Sequence, residues 1–153
     1  MQAFPHTYIA AASGQGSGTV MMTSPLLPAL QTAPPPQFGG SGAMWSPETL
    51  LCGAIADCFV LTFRAVARAA RFEWLQLECQ VTGVLDTVER KAQFTLYTTF
   101  ATLTVPAGAN AVKAQELLDR AEEGCLIANS LRGARALETR IVYAEQTQHA
   151  PAA

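Results

Sequence analysis

Charged residues are scarce in this sequence, and their scarcity excludes several classes of protein. Only 14% of the 153 residues are charged, and the formal net charge at pH 7 is −2. Such a chain has no basic surface to attract nucleic acid or an anionic membrane. No Lys or Arg precedes Arg64, so the N-terminus lacks the positive segment of a secretory signal peptide. We therefore expect a cytoplasmic protein without a nucleic-acid or membrane partner.

Metal-binding patterns are also missing. The two histidines, His6 and His149, lie near opposite ends of the chain, and no CxxC motif occurs. Zinc needs closely spaced soft ligands, so we expect no metal and no bound cofactor. A disulfide framework is uncommon in a cytosolic chain of this size, which leaves the cysteines as buried thiols or reactive ones. The four cysteines are Cys52, Cys58, Cys79 and Cys125.

Apolar residues make up 50% of the chain, enough for a core in one domain spanning residues 1–153. Two short strands are predicted over 6–23, around a Gly/Ser turn at 13–18. The Pro/Gly-rich segment 24–44 cannot be helical and makes a poor central strand, so we interpret it as an extended arm suited to wrapping a partner subunit. The tail, 144–153, is predicted to be frayed.

The first helix is predicted over 47–70. It begins with Ser46-Pro47-Glu48, which combines a capping hydroxyl, a proline at the first helical position and an acid in the first turn. Its N-terminal half is apolar nearly all round, so we expect it at the centre of the fold. The nearly uncharged stretch 50–63 is interpreted as too short to span a bilayer.

A hairpin, a second helix and a last strand are predicted after it. Residues 73–84 alternate apolar with polar, and 93–105 are rich in aromatic and β-branched residues. The charged stretch 86–91 between them indicates an antiparallel hairpin. The second helix is predicted over 111–127 and the last strand over 137–143. Because strands and helices do not alternate strictly, the fold class is α+β.

Cys58 lies about three turns into the first helix, and Cys125 in the last turns of the second. Taken singly, each is typical of a small buried hydrophobe, as are Cys52 and Cys79. A reactive thiol needs something that stabilises its thiolate. Glu48, ten residues before Cys58, serves this only by holding a cation beside the sulfur, because a carboxylate alone raises a thiol's pKa.

Two strings of residues resemble a known family. Pro47-Glu48-Thr-Leu-Leu-Cys-Gly-Ala-Ile-Ala-Asp57-Cys58-Phe59 resembles the PE-x-L-x-x-A-x-x-x-C-F signature of the OsmC/Ohr family (osmotically inducible protein C / organic hydroperoxide resistance). Glu123-Gly-Cys125-Leu-Ile-Ala-Asn129-Ser130 resembles its second signature, an acidic helix ending in C-x-x-S-N or C-x-x-x-x-S. The order of strands and helices also matches, and the resemblance extends from about His6 to Tyr143.

The resemblance implies an activity and roles for residues. Cys58 would be the peroxidatic cysteine, attacking an organic hydroperoxide to become a sulfenic acid. Cys125 would be the resolving cysteine, condensing with it to a disulfide that an external dithiol, such as a lipoyl protein, reduces. Glu48 would orient an activating arginine. The residues expected to line the substrate site are Leu51, Phe59 and Ile127.

One departure from the family pattern concerns that arginine. Peroxidase members of the family resemble one another in an early Gly-Arg turn, where this chain has Gln15. An uncharged amide cannot lower a thiol's pKa by Coulomb attraction. Arg64 is expected on nearly the opposite helix face from Cys58, whereas Arg132 or Arg135, shortly after Cys125, are better placed.

The resemblance also implies an intertwined homodimer, with two central helices per chain wrapped by antiparallel sheets and the Gln15 turn reaching the partner's site. The leading interpretation is an organic hydroperoxide reductase in oxidative-stress defence. One alternative is a non-catalytic dimer that senses redox state or binds a small ligand. Another is an interaction module whose cysteines are inert core.

Overall fold

The computed structural model describes residues 3–145. Within it the chain divides into two compact units, Met1–Leu51 and Cys52–Ala153. The expectation of a single domain over residues 1–153 stays a prediction. His149 and most of the tail expected to be frayed lie outside the described residues. The fold is α+β, as expected, with three helices and two three-stranded sheets in the described part.

The first unit contains a small antiparallel sheet. Its strands are β1 (Ala11–Ser13), β2 (Val20–Thr23) and β3 (Leu30–Thr32), in that order. The two strands predicted around the Gly/Ser turn are confirmed. The proline-rich segment is more structured than expected, because it supplies β3 and a short 3-10 helix, Pro36–Phe38. β3 is an edge strand, where neighbouring prolines cost the sheet no hydrogen bond.

Helix α1 spans Pro47–Ala69, one residue short of the predicted end. Ser46, fully buried, caps it reciprocally with Thr49: the Ser46 amide donates to Thr49 Oγ1 at 2.8 Å, and the Thr49 amide donates to Ser46 Oγ at 3.2 Å. This is a capping box in which a threonine hydroxyl takes the place of the usual carboxylate. Glu48, the residue before Thr49, takes no part in these two bonds.

Helix α1 buries one stripe of side chains, Ile55, Phe59, Phe63 and Ala67. By length and composition alone this helix could cross a membrane, so the expectation that its apolar stretch is too short for that was wrong. The core helix of a soluble protein meets the same criterion. Only 22% of its most apolar 18-residue window is buried, and the mean hydropathy of that window is 1.8. A single chain thus leaves much of α1 uncovered.

The hairpin is longer than predicted, and its turn is tighter. β4 (Gln76–Val88) and β5 (Lys91–Val105) pair in antiparallel fashion. Only Glu89 and Arg90 remain for the turn, with φ of 50° and 65°. Two successive residues with positive φ match the right-handed twist of a two-residue hairpin. Most of the charged stretch interpreted as a loop is therefore strand.

After β5 the chain forms α2 (Ala111–Gly124), the short α3 (Leu126–Asn129) and β6 (Ala134–Tyr143). β6 pairs with β5 in parallel, so the expectation that both sheets are antiparallel was wrong. A parallel pair needs a long crossover, and the two helices provide it. α1, β5 and α2 share the core of this unit, which is centred on Phe59, Leu103 and Leu117.

Candidate active site

Cys58 lies in the middle of α1 and is half-buried. The residues on either side of it along the buried stripe, Ile55 and Phe59, are 1% and 0% exposed. The Thr62 hydroxyl donates to the Cys58 carbonyl at 2.7 Å, a local bond within the helix. The thiol is therefore carried by a rigid, well-packed element and sits at the edge of the core.

Cys125 lies at a break between two helices. The prediction of one helix over 111–127 was wrong here, because Cys125 has extended backbone angles, φ −68° and ψ 104°, and ends α2 while beginning α3. The preceding Gly124 has low helix propensity and favours the break. The Cys125 side chain is fully buried, and its thiol donates to the Ile55 carbonyl at 3.9 Å. The break thus directs Cys125 onto α1.

The two predicted cysteines come together at this point. Cys58 lies close enough to Cys125 to raise its pKa through a side-chain hydrogen bond and through charge repulsion between the sulfurs. Both thiols are free. In the reduced protein the two thiols are therefore neighbours.

Three polar side chains surround the Cys125 break. Arg135, on β6, places Nε 3.6 Å from Glu122 Oε1 and donates from Nη1 to Asn129 Oδ1 at 2.6 Å. Asn129 in turn donates to the Glu123 carbonyl at 2.8 Å. Glu122 precedes the break and Asn129 follows it, so Arg135 connects its two sides. The second carboxylate oxygen of Glu122 is buried without a hydrogen-bond partner among the described residues.

Cys79 is a third thiol in this neighbourhood. It lies on β4, half-buried, where the alternation of the strand turns Leu77, Cys79 and Val81 to one face. Burial raises its pKa to about 12, helped by the charges of Glu122 and Cys125. It was interpreted from the sequence as core packing, and it does pack against the core cluster.

Burial is the largest cause of the raised pKa of Cys79, Cys125 and Glu122. It raises the pKa of Cys125 to about 11, with further increases from Cys58 and Glu122 and a partial offset from the Ala128 backbone. Burial also raises the pKa of Glu122, opposed by the Arg135 charge. At neutral pH both Cys79 and Cys125 are therefore thiols, with very little thiolate.

The other residues predicted for the site are distributed over both units. Gln15 lies in an exposed turn and Leu51 is half-buried, both in the first unit. Glu48, also there, has one carboxylate oxygen that is buried with no hydrogen-bond partner in the described part. Phe59 is buried in the core, and Ile127, on α3 next to the Cys125 break, is 38% exposed.

Cys52 belongs to a separate environment. The Cys52 sulfur lies 3.0 Å from the position that a Cβ atom on residue 83, a glycine, would occupy. Burial raises its pKa, partly offset by a hydrogen bond with the Gly83 backbone. The structure thus separates Cys52 from the group around Cys125, in keeping with the interpretation of it as a packing residue.

Glu122 was missed by sequence reasoning, and Asn129 was noted only as part of the second family-like string, without a role. Glu122 is three residues before Cys125, a spacing that would have placed it on the same helix face, but the predicted helix carried several acids and gave no reason to choose one. Arg135 had been considered only as a cation for Cys58. Among residues 3–145 no group of three His, Cys, Asp or Glu side chains is arranged to hold a metal ion.

Comparisons with known proteins place this arrangement in a family. A family model described as OsmC-like protein matches residues 40–140. An organic hydroperoxide resistance protein OsmC from Legionella pneumophila, described as a predicted redox protein and regulator of sulfide bond formation, is 28% identical, with a TM-score of 0.71 over 92% of this chain and 99% of that one. No curated protein sequence gives a significant match.

Two further solved structures share the fold. An OsmC-like protein of unknown function from Vibrio cholerae is 16% identical, with a TM-score of 0.79 over 88% of this chain and 99% of that one. An organic hydroperoxide resistance protein from the same species, described as putative and solved with captopril in one of its active sites, is 23% identical, with a TM-score of 0.68 over 91% and 93%. The chain described here belongs to the OsmC-like protein family.

Proposed function

We propose that this protein is a thiol-dependent peroxidase that reduces organic hydroperoxides in the cytoplasm as part of oxidative-stress defence. The observation that carries the proposal is the packing of the Cys125 side chain against α1, next to Cys58. The name of the Legionella protein, 28% identical over nearly the full length, supports the choice of organic hydroperoxides.

The chemistry has three steps. The Cys58 thiolate attacks the distal oxygen of the hydroperoxide, and the O–O bond breaks. Cys58 becomes a sulfenic acid, and the alkoxide that leaves takes up a proton from solvent to become an alcohol. The Cys125 thiol then displaces that hydroxyl as water and forms a disulfide. An external dithiol, such as a lipoyl group, restores both thiols and is itself oxidised. No metal or bound cofactor takes part.

The remaining site residues have supporting roles in this proposal. The unpartnered oxygen of Glu48 is available to a hydrogen-bond donor that activates Cys58. Ile127, 38% exposed beside the Cys125 break, would favour an alkyl peroxide over hydrogen peroxide. Phe59 was expected to line the site as well, but its side chain is fully buried in the core and cannot contact a substrate. The incompletely covered α1 suits a homodimer, since burial of this apolar surface would stabilise association.

A second candidate is a non-catalytic dimer that binds a small ligand or senses redox state. The absence of any Lys or Arg before Arg64 favours it, as does the contact of Arg135 with Glu122 rather than with Cys58. A thiol without a nearby cation is expected to be weakly activated. The two candidates differ in whether Cys58 reacts with peroxide.

Consumption of cumene hydroperoxide with dihydrolipoamide as reductant separates them. We expect turnover by the wild type. We also expect it from the control variant Cys52→Ser, which loses a thiol that lies apart from Cys58 and Cys125. Cys58→Ser should be inactive, and hydrogen peroxide should be a poorer substrate. Equal rates for wild type and Cys58→Ser would contradict peroxidase function and leave the binding role.

A further inference from the structure

We propose that Asn129, held in place by Arg135, is a positioning residue for the resolving step, because it fixes the backbone of Cys125 at the break between α2 and α3. This role deepens the proposed function and rests on it for the catalytic consequence. How readily Cys58 and Cys125 form a disulfide is a separate property, and it can be measured without any peroxide.

The backbone of Cys125 is bonded to both helices. Its amide donates to the Glu122 carbonyl at the end of α2, at 3.3 Å, and its carbonyl accepts from the Asn129 amide in α3, at 2.9 Å. Its own backbone angles are extended, φ −68° and ψ 104°, and from this backbone the thiol reaches the Ile55 carbonyl of α1 at 3.9 Å. The direction of the resolving thiol therefore depends on how firmly this one residue is held.

The Asn129 side chain adds a bond that crosses the break. Its Nδ2 donates to the Glu123 carbonyl at 2.8 Å. That carbonyl lies in the last turn of α2, where carbonyls have no partner within their own helix. Asn129 thus attaches α3 to Cys125 through its amide and to the end of α2 through its side chain. Both bonds stiffen the chain at the residue that carries the resolving thiol.

Arg135 fixes the orientation of the Asn129 amide. Its Nη1 donates to Asn129 Oδ1 at 2.6 Å, and its Nε lies 3.6 Å from Glu122 Oε1. A guanidinium only donates and a backbone carbonyl only accepts, so the side chain between them must accept on one side and donate on the other. An amide does both, whereas a carboxylate has no proton to donate. The residue type at position 129 is therefore matched to its two partners.

This arrangement should act on the second chemical step and not on the first. In the condensation the Cys125 S–H bond and the Cys58 S–O bond break, the S–S bond forms, and the proton leaves with the hydroxyl as water. The Cys125 sulfur is oxidised and the Cys58 sulfur is reduced. A disulfide has strict geometric requirements, and a Cys125 backbone fixed in advance loses less conformational freedom on reaching them. The Asn129 bonds should therefore raise the effective concentration of Cys125 at Cys58.

The direct test is equilibration of the protein in glutathione redox buffers, with peptide mass spectrometry following the Cys58–Cys125 disulfide. Here the two protein thiols are oxidised while one glutathione disulfide is reduced to two glutathione thiols. We expect Asn129→Ala and Arg135→Met each to lower the effective concentration of the pair by about three- to tenfold, the effect of one hydrogen bond on an equilibrium constant. Arg135→Lys, which keeps a donor, should recover part of the loss.

Two control variants test whether the effect belongs to the bonds across the break. Ser130→Ala loses a bond of the same length, 2.8 Å from Ser130 Oγ to the Leu126 carbonyl, which stays within the α3 segment. Arg140→Met removes another exposed arginine of β6, on the opposite face of the strand from Arg135. Neither should change the effective concentration of the cysteine pair.

Three outcomes would overturn the positioning role. The first is an unchanged effective concentration in Asn129→Ala and Arg135→Met. The second is an equal loss in Ser130→Ala, and the third is a wild-type protein that forms no Cys58–Cys125 disulfide in the glutathione buffers. If Asn129→Ala does not fold, Arg135→Met decides alone, because it leaves every backbone bond of the break in place.

A pulse of cumene hydroperoxide then tests the catalytic consequence. Dimedone labelling should show that Asn129→Ala forms the Cys58 sulfenic acid at the wild-type rate but converts it to the disulfide more slowly. Equal rates of conversion would overturn the role in catalysis, and a loosened fold would instead change the first rate. Absence of Cys58 oxidation in the wild type, with the glutathione result as expected, would contradict the proposed function and leave the positioning of Cys125 standing.

Discussion

The Cys125 thiol donates to the carbonyl oxygen of Ile55 at 3.9 Å, and Ile55 precedes Cys58 on α1 by less than one turn. This contact keeps Cys125 next to the turn of α1 that carries Cys58, although the two cysteines are far apart in the sequence. The bond restrains the thiol without ionising it, because a carbonyl accepts from S–H and offers nothing to a thiolate. In the reduced protein Cys125 is therefore a restrained, protonated thiol beside Cys58.

Removal of the resolving thiol should trap the intermediate. In Cys125→Ser the sulfenic acid on Cys58 has no partner, so after one equivalent of cumene hydroperoxide we expect it to persist and to be labelled by dimedone, then to advance to the sulfinic acid with excess peroxide. Intact mass gives both states. Cys79→Ser, which keeps Cys125, should give the disulfide instead. Efficient disulfide formation by Cys125→Ser would assign the resolving role to another cysteine.

Alkaline pH should destabilise the fold through the buried thiols. An unfolded cysteine ionises near 9.0, whereas the pKa of folded Cys125 is about 11 and that of Cys79 about 12. Above pH 9 the unfolded chain releases protons that the folded chain retains, so the free energy of unfolding falls as pH rises. Urea titrations at pH 8 and pH 10 measure this fall.

Two variants on β4 isolate the contribution of Cys79. Cys79→Ser lacks one of the two buried thiols whose pKa is raised. Its free energy of unfolding should therefore fall less between pH 8 and pH 10 than that of the wild type. Val81→Ala, a truncation on the same face of the same strand, should keep the wild-type pH dependence whatever its overall stability. Identical pH dependence in all three proteins would show that Cys79 ionises normally.

The core of the second unit should depend on α2. Leu117 is fully buried, whereas Val112 on the same helix is 70% exposed. We expect Leu117→Ala to cost about 2–5 kcal/mol of unfolding free energy and Val112→Ala to change it by less than about 0.5 kcal/mol. Chemical denaturation measures both. Similar losses for the two variants would contradict the assignment of Leu117 to the core.

The uncovered surface of α1 leads to a prediction about assembly. We expect native mass spectrometry to give twice the chain mass of 16.3 kDa. Leu61 is 49% exposed on the side of α1 away from its buried stripe, so Leu61→Asp should weaken the dimer if that side is the interface. Leu75→Asp, another exposed leucine, is the matched control. A wild-type monomer at micromolar concentration would contradict the proposed homodimer.

Local signals in the sequence were sufficient for most elements. Proline after a capping serine marked the start of α1, and the strand patterns of β4 and β5 gave the hairpin. The limits of the hairpin were missed because Glu89 and Arg90 adopt positive φ, a conformation usually signalled by Gly or Asn. The parallel pairing of β5 with β6 was missed because strand order depends on tertiary packing.

The candidate site was predictable only in part. Family-like strings identified Cys58 and Cys125, but their proximity depends on the break after Gly124, which the helical pattern of α2 concealed. The Glu122–Arg135 contact joins α2 to β6, and no local pattern specifies which acid meets which arginine. In the sequence Cys79 is one of several apolar residues on a strand. Only the folded structure brings it near Glu122 and Cys125.

We propose that Cys58 and Cys125 form a peroxide-driven redox pair. The most direct measurement is intact and peptide mass spectrometry after one equivalent of cumene hydroperoxide, beside a hydrogen peroxide control and Cys58→Ser. The expected result is loss of two hydrogens and a linked Cys58–Cys125 peptide, formed faster with the organic peroxide and absent in the variant. Four unmodified thiols in the treated wild-type protein would contradict it.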